Sequence, residues 1–228
     1  MRIQGPASSG QGPVARVQGP EGMVKGQGLN TSNLKGSYQL PGRGKKEPKQ
    51  TENLKSVAGE CVILGVDPGS MITGYGLIRS NEHENVLLKC GTIKTDSKSS
   101  LPEKLKMIFE GVSRIIAKEC PDEFAIEETF YSKNARSALV MGQARGAAIL
   151  AAACANLPIA EYSPKEVKSS VVGQGSASKL QVQFMVKNIL KLKELPQPID
   201  AADALAIALC HAQKMRFKSI LSTRESIG

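Results

Sequence analysis

Two short apolar runs in this chain each end in a carboxylate. Cys61–Val66 runs into Asp67, and Phe124–Ile126 runs into Glu127 and Glu128. A carboxylate that follows a buried strand is costly unless it is paired or put to use. Both runs have the length of a fully buried strand, and Asp67-Pro68-Gly69-Ser70 is a turn signal behind the first. Fully buried strands belong in a sheet with both faces covered. If the two strands are parallel neighbours, their ends bring carboxylates to the edge where open α/β sheets bind ligands. Side chains alternate along a strand, so Glu127 and Glu128 point to opposite faces. At most one of them joins Asp67, and spacing alone does not choose between them.

The rest of the chain supplies the sheet and its covering helices. Ile72–Ile78 and Val86–Ile93 read as two more strands in a meander with the first. Ser100-Leu101-Pro102-Glu103 is a capping box, and Leu105, Ile108, Val112, Ile115 and Ile116 form the apolar face of the helix it starts. Pro121 marks the end of that helix. Further helices are expected near 134–155, 164–171, 178–192 and 199–215, with a fifth strand over 158–161. The order βββαβαβαα predicts a mixed five-stranded α/β sheet flanked by helices on both faces. Aromatics are 4% of the chain and Trp is absent, so the core must be aliphatic. The five cysteines contain no CxxC pair, which argues against a zinc ribbon or a disulfide framework and predicts small core residues.

Residues 1–60 have a different character. They hold 11 of the 22 glycines, repeat Gln-Gly-Pro at 4–6, 11–13 and 18–20, and carry nine basic against four acidic residues. With no apolar periodicity, such a segment cannot offset its ordering entropy. It is expected to be a disordered basic extension, either a nucleic-acid arm or a dispensable stretch from a mis-assigned start. The compact domain is expected over 61–217, followed by a flexible tail, 218–228. The net charge of +9 favours polyanionic partners. The longest charge-free apolar stretch, Gly146–Ala160, is too short to span a bilayer, and no signal core precedes the domain. A membrane is therefore not expected as a partner, and a reduced, cytoplasmic location is.

A third source of carboxylate is Asp200-Ala201-Ala202-Asp203-Ala204-Leu205-Ala206. Asp200 and Asp203 are three apart and share one helical face, on an alanine surface that can approach a sheet closely. Taken singly, each acidic residue has a plain explanation: a turn at Asp67, a solvated strand end at Glu127, a helix start at Asp200 and Asp203. Together they are three or four converging carboxylates, which repel unless a cation joins them. Hard divalent ions such as Mg²⁺ suit an all-oxygen site. Two such ions can activate water and stabilise a leaving oxygen at phosphorus.

These residues, in this order, resemble the RuvC family of crossover (Holliday) junction endodeoxyribonucleases, within the ribonuclease H-like superfamily. The motifs are Ile63-Leu64-Gly65-Val66-Asp67-Pro68-Gly69-Ser70, Thr73-Gly74-Tyr75-Gly76, Phe124-Ala125-Ile126-Glu127, Gly142-Gln143-Ala144-Arg145-Gly146, Val171-Val172-Gly173, Gly175-Ser176-Ala177 and Asp200–Ala206. The similarity spans Val62 to His211. It implies a ribonuclease H-like fold and an acidic tetrad of Asp67, Glu127, Asp200 and Asp203 holding Mg²⁺, with two ions per site and Mn²⁺ able to substitute. It also selects Glu127 over Glu128. Activity would be paired, symmetric nicking of four-way DNA junctions by a homodimer, leaving 5′-phosphate and 3′-hydroxyl ends. A branch-migration complex, RuvA–RuvB, is implied as a partner in a bacterial cytoplasm.

The resemblance further implies DNA contacts at Phe130, as a base-stacking wedge, and at Lys168 and Lys179 near the scissile phosphate. Arg145, on a helix of small residues, could meet DNA or the second subunit. His211 reads as a buried core residue, because the carboxylates already suffice. Competing readings are an actin-like ATPase, another ribonuclease H-like nuclease and a non-catalytic junction-binding protein. The 228-residue chain is too short, after its extension, for the two domains of the first. The second differs in substrate, and the third is disfavoured because all four carboxylates are present.

Overall fold

The computed structural model describes residues 59–128 and 134–225. They form a five-stranded sheet with strand order β3-β2-β1-β4-β5. The strands are β1 (Cys61–Asp67), β2 (Ile72–Ser80), β3 (Asn85–Lys94), β4 (Glu123–Glu127) and β5 (Ile159–Tyr162). The helices are α1 (Leu101–Glu119), α2 (Ala135–Cys154), α3 (Pro164–Val172), α4 (Lys179–Ile189) and α5 (Ile199–Glu225). β1, β2 and β3 form the antiparallel meander, while β1 pairs parallel with β4 and β4 parallel with β5. The two carboxylate-ending strands are thus adjacent and parallel, with Val66 beside Ile126.

Alternation along the strands sorts the core into two layers. Val62, Leu64, Val66, Phe124 and Ile126 face α1 and α2. Ile63, Ala125 and Tyr162 face α3, α4 and α5. Both faces are therefore covered, as the unbroken apolar strands require. α5 lies against the centre of the sheet, with Ala201, Ala202 and Ala204 to Cys210 all buried. Its close approach depends on glycine. A Cβ on Gly65 would overlap the Ala204 carbonyl oxygen, and one on Gly74 would overlap that of Asp200.

Three observations differ from expectation. α5 continues to Glu225, past the end expected near Met215 and into the segment read as a tail. No Pro or Gly interrupts residues 199–225, so nothing local stops the helix. Cys210 is buried, but Cys120 and Cys154 are exposed, so the cysteines are not uniformly core residues. α2 is long and apolar enough, by length and composition, to cross a membrane. Here Ala144, Ala148, Ala151 and Ala152 pack it into the core beside α1 and the sheet.

Candidate active site

Three elements carry the acidic residues to one place. Asp67 closes β1, and Glu127 closes the parallel strand beside it. Gly65 meets α5, so Asp67, two residues on, shares the α5 face. On β4, Ala125 packs in the α5 layer, which puts Glu127 on that same face. Glu128 falls on the other parity and is exposed. Alternation gave two faces; the packing of α5 shows that Glu127, and not Glu128, shares the face of Asp67. Asp200 and Asp203 enter from the first turns of α5, above Gly74, which is the register partner of Asp67.

The loop behind Asp67 is held by short hydrogen bonds. Thr73, fully buried, donates its hydroxyl to the Gly69 carbonyl oxygen at 2.8 Å. Thr95 donates to the Ser70 carbonyl oxygen at 2.8 Å. The end of β4 is braced as well. Arg145 Nε donates to the Glu127 carbonyl oxygen at 3.1 Å, and its guanidinium also binds the Glu161 carboxylate. The Glu128 amide donates to the Tyr162 carbonyl oxygen at 2.8 Å.

The electrostatics record crowding of like charge. Burial, then the charge of Asp203, pushes the Asp67 carboxyl up to about 6; Asp200 adds to the rise and Lys179 opposes it. Burial, then Asp67 and Asp203, pushes Glu127 up to about 7, with Lys179 and Lys168 opposing. Lys179, the first residue of α4, donates from Nζ to Asp203 Oδ2 at 2.6 Å. Among the described residues, no three acidic, His or Cys side chains are already drawn into a ligand cluster. The donors nevertheless fit a hard divalent cation. They are all carboxylate oxygens, they share one face, and burial with like charge raises two of them above the usual carboxylate range, a penalty that a cation relieves.

The other expected residues divide. Lys168 and Lys179 both reach the carboxylates through their charge. Arg145 is joined to the site from behind, through backbone. Phe130 lies outside the described residues. His211 is buried, with Nδ1 2.7 Å from the Tyr162 hydroxyl, and burial lowers its pKa, so it is a neutral core imidazole. A cleft of about 450 Å³ between α3 and α5 is lined by Lys165, Glu166, Lys214 and Phe217 and contains none of the four carboxylates. The sequence reading anticipated the close approach from the α5 alanines but missed that Gly65 and Gly74 admit it. Its signal was glycine on the inner face of two paired strands opposite an alanine-rich helix.

The chain is similar to known proteins over most of the described domain. The family model "Crossover junction endodeoxyribonuclease RuvC" matches residues 63–211. The crossover junction endodeoxyribonuclease RuvC of Shewanella baltica (strain OS155) is 55% identical over 164 residues, covering 72% of this chain and 94% of that protein. That of Shewanella loihica is 59% identical over 150 residues, covering 66% and 86%. The structure of Thermus thermophilus RuvC in complex with Holliday junction substrate is 36% identical, with a TM-score of 0.66, and covers 69% of this chain and 96% of that one. The yeast mitochondrial Holliday junction resolvase Ydc2, at 15% identity and a TM-score of 0.55, shares the fold; the alignment covers 73% of this chain and 84% of that one.

Proposed function

The chain belongs to the RuvC family of crossover junction endodeoxyribonucleases, and on that premise we propose that Asp67, Glu127, Asp200 and Asp203 are its metal-holding carboxylates. The protein is a structure-selective endonuclease that resolves four-way DNA junctions, and we propose that its cuts leave 5′-phosphate and 3′-hydroxyl ends. The observation that supports the site is the meeting of three acidic elements on the α5 face of the sheet, where burial and then the neighbouring carboxylates push Asp67 and Glu127 up. Nucleases of this family depend on divalent metal. We assign Mg²⁺, two ions per site, with Mn²⁺ able to substitute.

When bound, Mg²⁺ supplies an activated water and stabilises the oxygen that leaves phosphorus. The chain's own residues prepare for this. The four carboxylates offer acceptor oxygens beside the buried alanines of α5. Lys168 and Lys179 bring positive charge to the scissile phosphate. Phe130 is proposed to stack on a base at the junction centre, where such contacts are worth about 1–3 kcal/mol. Arg145 holds the backbone of Glu127 in line with β5. RuvA–RuvB as a partner and a bacterial cytoplasmic location complete the proposal.

A homodimer is also proposed, and the outer face of α2 supports it. Leu139, Gly142, Gly146 and Leu150 lie opposite the buried alanine stripe, with Leu139 and Leu150 exposed by 64% and 55%. A Cβ on Gly142 or Gly146 would meet nothing within 4 Å, which leaves room for a second helix. A two-fold dimer matches a two-fold junction, one site to each of two opposed strands. Leu150→Glu would place a charge on that face. It is expected to convert dimer to monomer in sedimentation at micromolar concentration and to replace paired cuts by single nicks. A variant that stays dimeric would show that α2 is not the interface.

Residues 1–60 are proposed to be dispensable for cutting. A chain beginning at Cys61 should cut junctions within about threefold of the full-length rate, with weaker nonspecific duplex binding at low salt. Loss of folding on truncation would refute this reading. The nuclease reading as a whole is tested on a synthetic four-way junction and a linear duplex of matching sequence, each in Mg²⁺ and in EDTA. Cutting of the junction alone, absent in EDTA, is expected. Equal cutting of the duplex would instead indicate a general ribonuclease H-like nuclease.

A further inference from the structure

Lys179 is paired with one of the four proposed metal-holding carboxylates. Its Nζ donates to Asp203 Oδ2 at 2.6 Å, while 66% of the side chain remains exposed. Asp203 is the inner partner, 20% exposed. The pairing is not a consequence of helix geometry, because the two residues lie 24 apart in sequence on different elements. α4 is instead aimed at the site. Ser178 caps it by accepting from the Gln181 amide, with Gln181 reaching back to the Ser178 amide, so its first residue is fixed beside α5. Val182 and Val186, one and two turns on, anchor the same face of α4 in the α5 core.

An ammonium is a compact, mobile point charge on a long stem. On Asp203 it neutralises one of four crowded carboxylates. It also uses an oxygen that a metal ion would need, and it places a positive charge where a divalent cation would arrive. We propose that Lys179 is the built-in counter-ion of the metal-free site and competes with the divalent cation for Asp203. Cation loading then requires the ammonium to leave, and its exposed stem lets it do so without unfolding α4. A free protein would hold its metal weakly, and a phosphate that takes the ammonium would open Asp203. This inference rests on the assignment of Asp203 to the metal-holding set, and the test separates the two.

The test is calorimetric titration of Mg²⁺ into the full-length chain in the absence of DNA, with Mn²⁺ as a second probe. Five proteins are compared: wild type, Lys179→Met, Lys179→Arg, Asp203→Asn and the double variant Lys179→Met/Asp203→Asn. Met keeps most of the stem and removes the charge. Lys179→Met is expected to bind Mg²⁺ about 10-fold more tightly than wild type, within the usual span of coupled sites. Lys179→Arg, which keeps the charge, should stay near wild type. In an Asp203→Asn background the gain from Lys179→Met should vanish, because the contested oxygen has lost its charge. Equal or weaker binding by Lys179→Met, or a gain that persists without the Asp203 carboxylate, would overturn the proposal. If neither cation binds any of the five proteins or raises their melting temperature, the metal site itself is misassigned. Far-UV circular dichroism of each variant checks that an affinity change is not a folding change.

Discussion

Asp67→Asn is expected to abolish junction cutting while making the metal-free protein more stable. Asparagine keeps the shape of the side chain and removes the charge that a cation needs. The lost transition-state stabilisation amounts to several kcal/mol, or about 10³-fold in single-turnover rate. Junction affinity in EDTA should stay within about threefold, because phosphate contacts from lysine and arginine dominate it. The stability effect follows from the sign of the pKa shift. The Asp67 carboxyl ionises near 3.8 when unperturbed and at about 6 in the fold, where burial and then Asp203 oppose its charge. Between these values the folded protein keeps a proton that the unfolded chain has released, so stability falls as pH rises through this window. Above it the full penalty stands, on the order of 1–3 kcal/mol. Denaturation in EDTA at pH 7.5 should therefore show Asp67→Asn to be the more stable protein by about that amount. The advantage should fade towards pH 4. Normal cutting by this variant would remove Asp67 from the site.

Gly74→Ala is expected to damage the site from the far side of α5. The added methyl group would collide with the backbone carbonyl of Asp200, which cannot rotate away as a side chain could. α5 would have to lift off β2 at the turn that carries Asp200 and Asp203. Overpacking of this kind costs about 3 kcal/mol at the upper end of its usual range. Displacing the two carboxylates by about 1 Å is enough to lose on the order of 10²-fold in rate. Gly111→Ala is the matched control, since the atoms nearest its methyl group all belong to the side chain of Ile93, which can shift where backbone cannot. That control should cut at close to the wild-type rate. Chemical denaturation and single-turnover cutting, measured on both variants, would decide. Wild-type stability and rate in Gly74→Ala would mean that α5 does not need the glycine track.

Much of this architecture can be read without coordinates because its signals are local. An apolar run with turn residues behind it marks β1, an apolar run ending in glutamates marks β4, and the Ser100–Glu103 capping box marks the start of α1. Asp200 and Asp203 announce a shared face by spacing alone. The choice between Glu127 and Glu128 is different in kind. Alternation supplies only parity; the absolute face is set by Ala204 and Ala208 of α5 pressing on Gly65, residues about 140 positions away in the chain. The Lys179–Asp203 pair and the brace from Arg145 to Glu127 are tertiary in the same sense. Arg145 stands in a run of small residues that says nothing of where its guanidinium ends. The length of α5 was hidden for the opposite reason. Its core-facing alanines stop near Ala212, but a helix without Pro or Gly has no local cause to end there.

A supercoiled plasmid bearing an extruded cruciform tests the central claim most directly. It is incubated with the full-length protein in Mg²⁺ or EDTA, beside a plasmid lacking the inverted repeat, and the products are separated as supercoiled, nicked and linear DNA. In Mg²⁺ the cruciform plasmid should become linear through two cuts placed symmetrically across the point of strand exchange, both closable by ligase. The repeat-free plasmid, and both plasmids in EDTA, should remain supercoiled. Cutting in EDTA, or equal cutting of the repeat-free plasmid, would contradict a metal-dependent junction resolvase built on these four carboxylates.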